Sequence, residues 1–306
     1  MNTAICVIGS SNTDMVVKTD RLPVPGETVI GGTFLMNPGG KGANQAVAAA
    51  RLGASVVFVG KVGNDIFGQQ ALSQFQREGI DSSFVFTDPE NPSGVALINV
   101  DAAGENCIAV APGSNGNLTP DEVGQAVDAL PDSSLVLIQL EIPLPTVERA
   151  IRQSYKKGLR VILNPAPAQP LSPALFRYLY LITPNETEAE LLTGIRVTDV
   201  ATAEKAAQQF HEAGIPNVVI TLGSRGAYLH TNTVARLIPA PAVSAVDSTA
   251  AGDCFNGALA VALSENRPLD EAVAFACKAA AFSVTRMGAQ ASMPDRNEVD
   301  EPKSPN

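Results

Sequence analysis

Histidine is scarce in this chain. His211 and His230 are the only two and sit in unrelated settings, which argues against a His-based catalytic triad or a His-rich metal centre. Cysteine is nearly as sparse: Cys6, Cys107, Cys254 and Cys277 are widely scattered with no C-x-x-C pair. Neither a zinc site nor a disulfide framework is indicated, and reduced thiols in a cytoplasmic protein are the simpler account. No segment approaches the ~20 apolar residues of a membrane span, and the amino terminus enters an apolar run without a basic n-region, so no membrane partner is expected. Basic residues are in deficit, 21 against 31 acidic, for a net charge of −10. That argues against a nucleic-acid partner. An anionic small substrate stays open, because a local cluster of amides, a lysine and metal ions can overrule the global field. There is no internal repeat or low-complexity tract.

What is present is enough apolar sequence for a full globular core, 45% of 306 residues. Short apolar runs over 4–8, 56–59, 135–140, 161–163, 180–182 and 218–222 read as strands. Helical patterns intervene, three of them over 42–52, 67–78 and 201–213, stopping at Gly53, Gly79 and Gly214. This alternation predicts an α/β fold, a mainly parallel sheet with helices on both faces and ligands at the carboxyl ends of its strands. Residues 15–36 and 94–110 break the pattern with β-type sequence and turn signals such as Pro23-Val24-Pro25-Gly26-Glu27, and predict a small antiparallel flap. One domain over 1–294 is expected, its lid formed by about 12–36 and 94–110, followed by a polar, frayed tail over 295–306.

Several segments carry chemistry. Val246-Asp247-Ser248-Thr249-Ala250-Ala251-Gly252-Asp253-Cys254 places an acid behind three small residues where a helix begins. Small side chains let backbone N–H groups approach an anion there, and a first-turn carboxylate can accept a proton from a hydroxyl. A capped helix start is the alternative. Asn37-Pro38-Gly39-Gly40-Lys41-Gly42-Ala43-Asn44-Gln45 permits close backbone approach around a lysine and suits a polyol, but lacks the spacing of a Walker A loop. Asn12-Thr13-Asp14 and Glu141 follow strands and project from one sheet edge, where carboxylates can accept sugar hydroxyls. Thr221-Leu222-Gly223-Ser224-Arg225-Gly226 could wrap a nucleotide or form an ordinary turn. Asn185-Glu186-Thr187-Glu188 opens a helix, with Glu188 as a capping partner or as a holder of magnesium-bound water.

In this order the segments resemble the ribokinase-like, phosphofructokinase-B type sugar kinases. Asn164-Pro165-Ala166-Pro167-Ala168, Thr183-Pro184 and Val284-Thr285-Arg286-Met287-Gly288-Ala289-Gln290 add to the match, which spans roughly residues 3–294. The resemblance implies a three-layer α/β/α fold with a β-sheet lid through which the chain forms a homodimer, and ATP-dependent phosphorylation of D-ribose at its 5-hydroxyl. Asp253 would be the base, with Ala250, Ala251 and Gly252 forming the anion hole. Asn12, Thr13, Asp14, Gly40, Lys41, Gly42, Ala43, Asn44 and Glu141 would bind the sugar. Asn185, Thr221, Leu222, Gly223, Ser224, Arg225, Gly226, Gly252, Asp253 and Cys277 would line the ATP site. Magnesium would be influenced by Glu188, and potassium would sit by Asp247, Thr249, Ser283, Arg286, Gly288 and Ser292. Cys254 and Cys277 stand where relatives commonly carry other residues. The competing readings are a kinase of deoxyribose, fructose or a nucleoside, and a non-catalytic sugar sensor.

Overall fold

The computed structural model describes residues 4–301. In chain order its strands and α-helices are β1 (Ile5–Ile8), β2 (Asn12–Lys18), β3 (Thr33–Gly39), α1 (Lys41–Arg51), β4 (Val56–Gly63), α2 (Ile66–Arg77), β5 (Asp81–Asp88), β6 (Gly94–Val100), β7 (Asn106–Ala111), α3 (Pro120–Ala129), β8 (Leu135–Ile138), α4 (Leu144–Lys156), β9 (Arg160–Leu163), β10 (Leu181–Ile182), α5 (Glu186–Thr193), α6 (Val200–Glu212), β11 (Val218–Thr221), β12 (Ala227–His230), β13 (Ala235–Ile238), α7 (Ala251–Ser264), α8 (Leu269–Ser283) and α9 (Arg296–Asp300). The main sheet runs β13-β12-β11-β10-β9-β8-β1-β4-β5. Neighbours from β5 through to β11 are parallel, and β12 and β13 are added antiparallel at one edge.

Burial of β1 explains the three layers. All four of its residues are buried, with Ile5 and Val7 in one apolar cluster and Cys6 and Ile8 in another. Because strand side chains alternate, each face needs its own cover. One cluster draws residues from α1, α2, α7 and α8, the other from α3, α4 and α6. The three expected glycine stops hold: Gly53, Gly79 and Gly214 follow α1, α2 and α6 in the left-handed region.

Strand β1 lies between β8 and β4, so the chain builds one half of the sheet outward from β4 and the other from β8. A ligand crevice is expected outside the carboxyl end of β1, where this direction reverses. The lid grows from that point. Its order is β3-β2-β6-β7, and it is mixed rather than wholly antiparallel: two antiparallel hairpins are joined by a parallel β2–β6 pair. The reason lies in the main sheet. β2 leaves from β1 and β6 leaves from β5, and all strands between those two are parallel, so both lid strands start in the same direction.

The expected frayed tail also differs. Asp295 and Glu298 cap α9, Val299 is fully buried, Glu298 pairs with Arg286, and Arg296 lies 2.5 Å from Glu265. A five-residue helix is not stable alone, so these tertiary contacts hold it. Residues 302–306 lie outside the described residues.

Candidate active site

Helix α7 starts without a side-chain cap. Its N-cap residue, Ala250, adopts φ 59 and ψ 16, left-handed backbone that costs a non-glycine residue about 1–3 kcal/mol. A Cβ built on Gly252 would meet nothing within 4 Å. The helix start therefore opens onto free space, with first-turn N–H groups and the helix dipole directed at it.

Asp253 stands on that turn and is only 7% exposed. One turn further, a Cβ on Gly257 would lie 2.7 Å from both Ala48 Cβ and the Gln45 carbonyl, so glycine here allows α7 to press against the Ala-rich α1. That close approach carries Asn44 and Gln45 onto Asp253. Asn44 Nδ2 donates to Asp253 Oδ2 at 2.9 Å, and Gln45 Nε2 donates to Oδ1 at 3.0 Å. Burial pushes Asp253 above the ordinary carboxylate value, although Lys41 and the two amides pull it down. Burial thus favours the protonated form of this carboxyl more than in an exposed aspartate, while the donors favour the ionised one.

The residues expected to bind the sugar converge from three elements. Glu141 Oε2, beyond β8, accepts from Ser10 Oγ at 2.5 Å and from the Lys41 N–H at 3.0 Å. Asp14 on β2 lies so close to β3 that a Cβ on Gly39 would sit 2.2 Å from Asp14 Oδ2. Burial, then Glu141 and Asp253, push Asp14 up to about 6 against the pull of Lys41. Burial disfavours the Lys41 ammonium in turn, but Asp253, Glu141, Glu188 and Asp14 hold its value above the ordinary one. Asn44 Oδ1 is buried without a partner and is an acceptor for a ligand hydroxyl.

Asn12 is fixed by a residue that the sequence does not single out. Asn115 Nδ2 donates to Asn12 Oδ1 at 2.8 Å and to Ser11 O at 3.1 Å, while its Oδ1 accepts from Ser11 N at 2.9 Å. Thr13 and Asn12 line a cavity of about 310 Å³ together with Met36, Phe67, Gln74 and Gln290, which includes none of Asp14, Lys41, Glu141 or Asp253. The titratable chemistry thus sits outside that cavity. Gly42 and Ala43 hold α1 against the segment that follows β1: a Cβ on Gly42 would be 2.7 Å from Gly9 backbone, and Ala43 N donates to Ser10 O at 2.9 Å, while Ala43 also lines the cavity.

Across the cleft, Asn185 caps α5 and exchanges hydrogen bonds with Glu188, whose side-chain oxygens accept from Asn185 N at 2.9 Å and Nδ2 at 3.1 Å. Burial pushes the Glu188 carboxyl up, opposed by the Asn185 N–H and Lys41. Asn185 is bridged to Thr221, bringing together the two motifs expected at the nucleotide. Gly226, at φ 104, could not be replaced freely, since a Cβ would lie 2.1 Å from the Ile238 carbonyl. Within the loop, Gly223 and Ser224 are exposed, whereas Arg225 binds Glu186 at 2.9 Å and Thr198 O at 2.7 Å. Leu222 and Cys277 are 2% and 4% exposed and belong to the two apolar clusters. Cys254 is wholly buried too, and burial pushes both thiols up to about 12, so they behave as packing residues.

Asp247 begins the loop to α7. Its Oδ1 accepts from Thr249 N at 2.9 Å and Thr249 Oγ1 at 2.6 Å, and its Oδ2 from Gly288 N at 2.8 Å. Burial alone would raise its value, but these donors hold the carboxyl below the usual range. Its backbone N–H reaches Val284 O at 3.1 Å, beside Ser283. The Arg286 guanidinium pairs with Glu298, and Ser292 Oγ donates to Ala289 O. The side chains here that could face a cation are carboxylate and hydroxyl oxygens, the ligand type a hard cation takes. No group of three or more His, Cys, Asp or Glu able to hold a metal occurs among the described residues. Glu188 alone fits a hydrated magnesium ion shared with substrate phosphates, not a closed protein cage.

Residues 2–296 match the model of the pfkB family of carbohydrate kinases. The chain is 46% identical over 299 residues to a ribokinase of Haemophilus influenzae, covering 98% of each chain. A crystal structure of a ribokinase from Thermotoga maritima superposes with a TM-score of 0.89 at 40% identity, covering 98% of both chains. A ribokinase of Arabidopsis thaliana complexed with ribose and ATP gives 0.89 at 32% identity, again over 98% of both. With the Gly-rich Asn37–Gln45 segment bonded to Asp253 at the uncapped α7 start and the family model matched over nearly the whole chain, the chain belongs to the pfkB family of carbohydrate kinases.

Proposed function

We propose that this chain transfers the γ-phosphoryl group of ATP to the 5-hydroxyl of D-ribose, giving D-ribose 5-phosphate and ADP. The observation that carries the reading is the direct contact between the two halves of the site: Asn44, on the sugar helix, holds the carboxylate of Asp253, on the anion-binding helix. The similarity to ribokinases, one of them complexed with ribose and ATP, supports the choice of substrates.

In this mechanism Asn12, Asp14, Gly40, Lys41, Asn44 and Glu141 orient the sugar so that its 5-hydroxyl faces Asp253. As the sugar oxygen bonds to the γ-phosphorus, the bond from that phosphorus to the β–γ bridging oxygen breaks, Asp253 takes the hydroxyl proton and ADP leaves. Phosphoryl transfer passes through a loose state that needs positioning and charge neutralisation more than a strong base. The N–H groups of the Ala250-Ala251-Gly252 turn face the transferring oxygens, and Lys41 adds positive charge. Asn185 and the Thr221–Gly226 loop hold the nucleotide. Magnesium, when bound with ATP, supplies neutralisation of the phosphates; Glu188 would contact its water shell. A potassium ion by Asp247 and the carbonyls around Ser283, Arg286, Gly288 and Ser292 would stiffen the turn before α7.

The lid exposes Phe34, Met36, Leu97, Ile108 and Val110, apolar area that a second copy of the lid would cover, and a homodimer is part of the proposal. The four cysteines are all free, which agrees with the reducing cytoplasm; no helix among the described residues is long and apolar enough to cross a membrane.

Phosphorus NMR of products formed from ATP, magnesium and potassium with ribose, deoxyribose, fructose or adenosine tests the reading. Ribose 5-phosphate as the preferred product is expected. Preference for another acceptor would move the specificity, and ribose binding without transfer would overturn the reading in favour of a sensor.

A further inference from the structure

The base is held by more than its two neighbours. Gln45 Nε2, which donates to Asp253 Oδ1, also lies 3.0 Å from Asn164 Oδ1, and Gln45 Oε1 accepts from Gln139 Nε2 at 2.6 Å. Asn164 Nδ2 donates to Thr183 O at 3.1 Å, Thr183 Oγ1 donates to Asn256 Oδ1 at 2.6 Å, and Asn256 Nδ2 returns to Gly252 O at 2.8 Å. The path begins at Asp253 and ends on the residue before it, after visiting α1 and the carboxyl ends of β8, β9 and β10. Gln45, Gln139, Asn164, Thr183 and Asn256 are each 6% exposed or less. Gly9 leaves room for the path, since a Cβ there would sit 2.0 Å from Gln139 Oε1.

Amides are a costly way to fill the interior where apolar side chains would pack. We propose that this buried amide relay sets the orientation and basicity of Asp253, with Gln45 as the positioning residue at its centre. Gln45 is gripped at both ends, so its N–H has one direction in which to point, and with Asn44 it fixes both carboxylate oxygens while leaving their remaining lone pairs for the substrate hydroxyl. Because an amide does not titrate, this grip is the same at every working pH. The charged groups facing Asp253 from the surrounding elements are Lys41 on α1, Asp14 on β2, Glu141 beyond β8 and Glu188 on α5, and none belongs to the relay.

Gln45→Met preserves length and charge but removes the donor. The kinetic test rests on the ribose kinase reading, so wild-type turnover with ATP, magnesium, potassium and ribose is measured alongside. The variant is expected to lose about 10- to 100-fold in kcat, the scale of one hydrogen bond to a charged group, with the KM for ribose changed less than about threefold. The donor favours the ionised carboxylate, so its loss raises the value of Asp253 and moves the acid limb of kcat up by about one pH unit. Gln139→Leu releases the other end of Gln45; the same split and shift are expected, smaller, and this variant carries the test if Gln45→Met does not fold.

Titration of Asp253 by carbon NMR of protein labelled at the aspartate carboxyl, assigned with Asp253→Asn, reads the shift without any substrate. A wild type that phosphorylates no ribose would remove the functional reading and leave this titration to decide the relay. An Asp253 titration unchanged in the folded variants, or kcat losses that merely follow a lowered Tm with the acid limb in place, would overturn the proposal.

Discussion

Asp247 and Asp253 flank the same short turn and are held in opposite ways. Asp247 has both oxygens taken by N–H and O–H donors from Thr249 and Gly288, and its carboxyl is held below the ordinary range. Asp253 receives two amide donors and the nearby Lys41, but its deeper burial outweighs them and pushes it up. Equal chemistry in two environments thus favours the ionised carboxylate on one side of the turn and disfavours it on the other, the difference that the proposed base role of Asp253 uses. Of the residues between them, Thr249 is bound directly by Asp247.

The comparison breaks most sharply at Asp253. Asp253→Asn should lower kcat by about 10²–10⁴-fold, the usual contribution of a general base, while ribose and ATP dissociation constants measured by calorimetry stay within about threefold. Asp247→Asn should cost less, about tenfold in kcat, with the stimulation by potassium over a non-coordinating cation lost and the KM for ribose nearly unchanged. A large change in sugar affinity would contradict its assignment to the cation. Asp14 sharpens the contrast from the sugar side. Its carboxyl is pushed up to about 6, and the ionised form accepts sugar hydroxyls, so kcat/KM for ribose should fall as pH drops through that value and recover above it. Asp14→Asn should remove that limb. The smallest effect on chemistry is expected from the lid: Phe34→Asp should shift a dimer toward monomer in light scattering while changing kcat less than about threefold.

Much of this arrangement was legible in the sequence. Apolar runs between glycine stops located the inner strands, and small residues before Asp253 marked the start of α7, because both signals are local. The lid's parallel seam was not legible, since it follows from the directions of β1 and β5 in the finished sheet. Helix α9 was missed because Val299 and the Glu298–Arg286 pair stabilise it from outside its own sequence. Gln139 offered a signal, a polar residue inside the apolar run 135–140, but its partner on α1 lies 94 positions away. Asn115, in a loop of Gly, Ser and Asn, offered none; only the fold brings it to Asn12.

The most direct test is kcat against pH at saturating ribose, ATP, magnesium and potassium for the wild type, Asp247→Asn and Asp253→Asn, with bound sugar shielding Asp14. The account predicts an acid limb above the ordinary aspartate range that persists in Asp247→Asn and vanishes from the residual activity of Asp253→Asn. An acid limb that survives unchanged in Asp253→Asn, or that disappears with Asp247 instead, would contradict it.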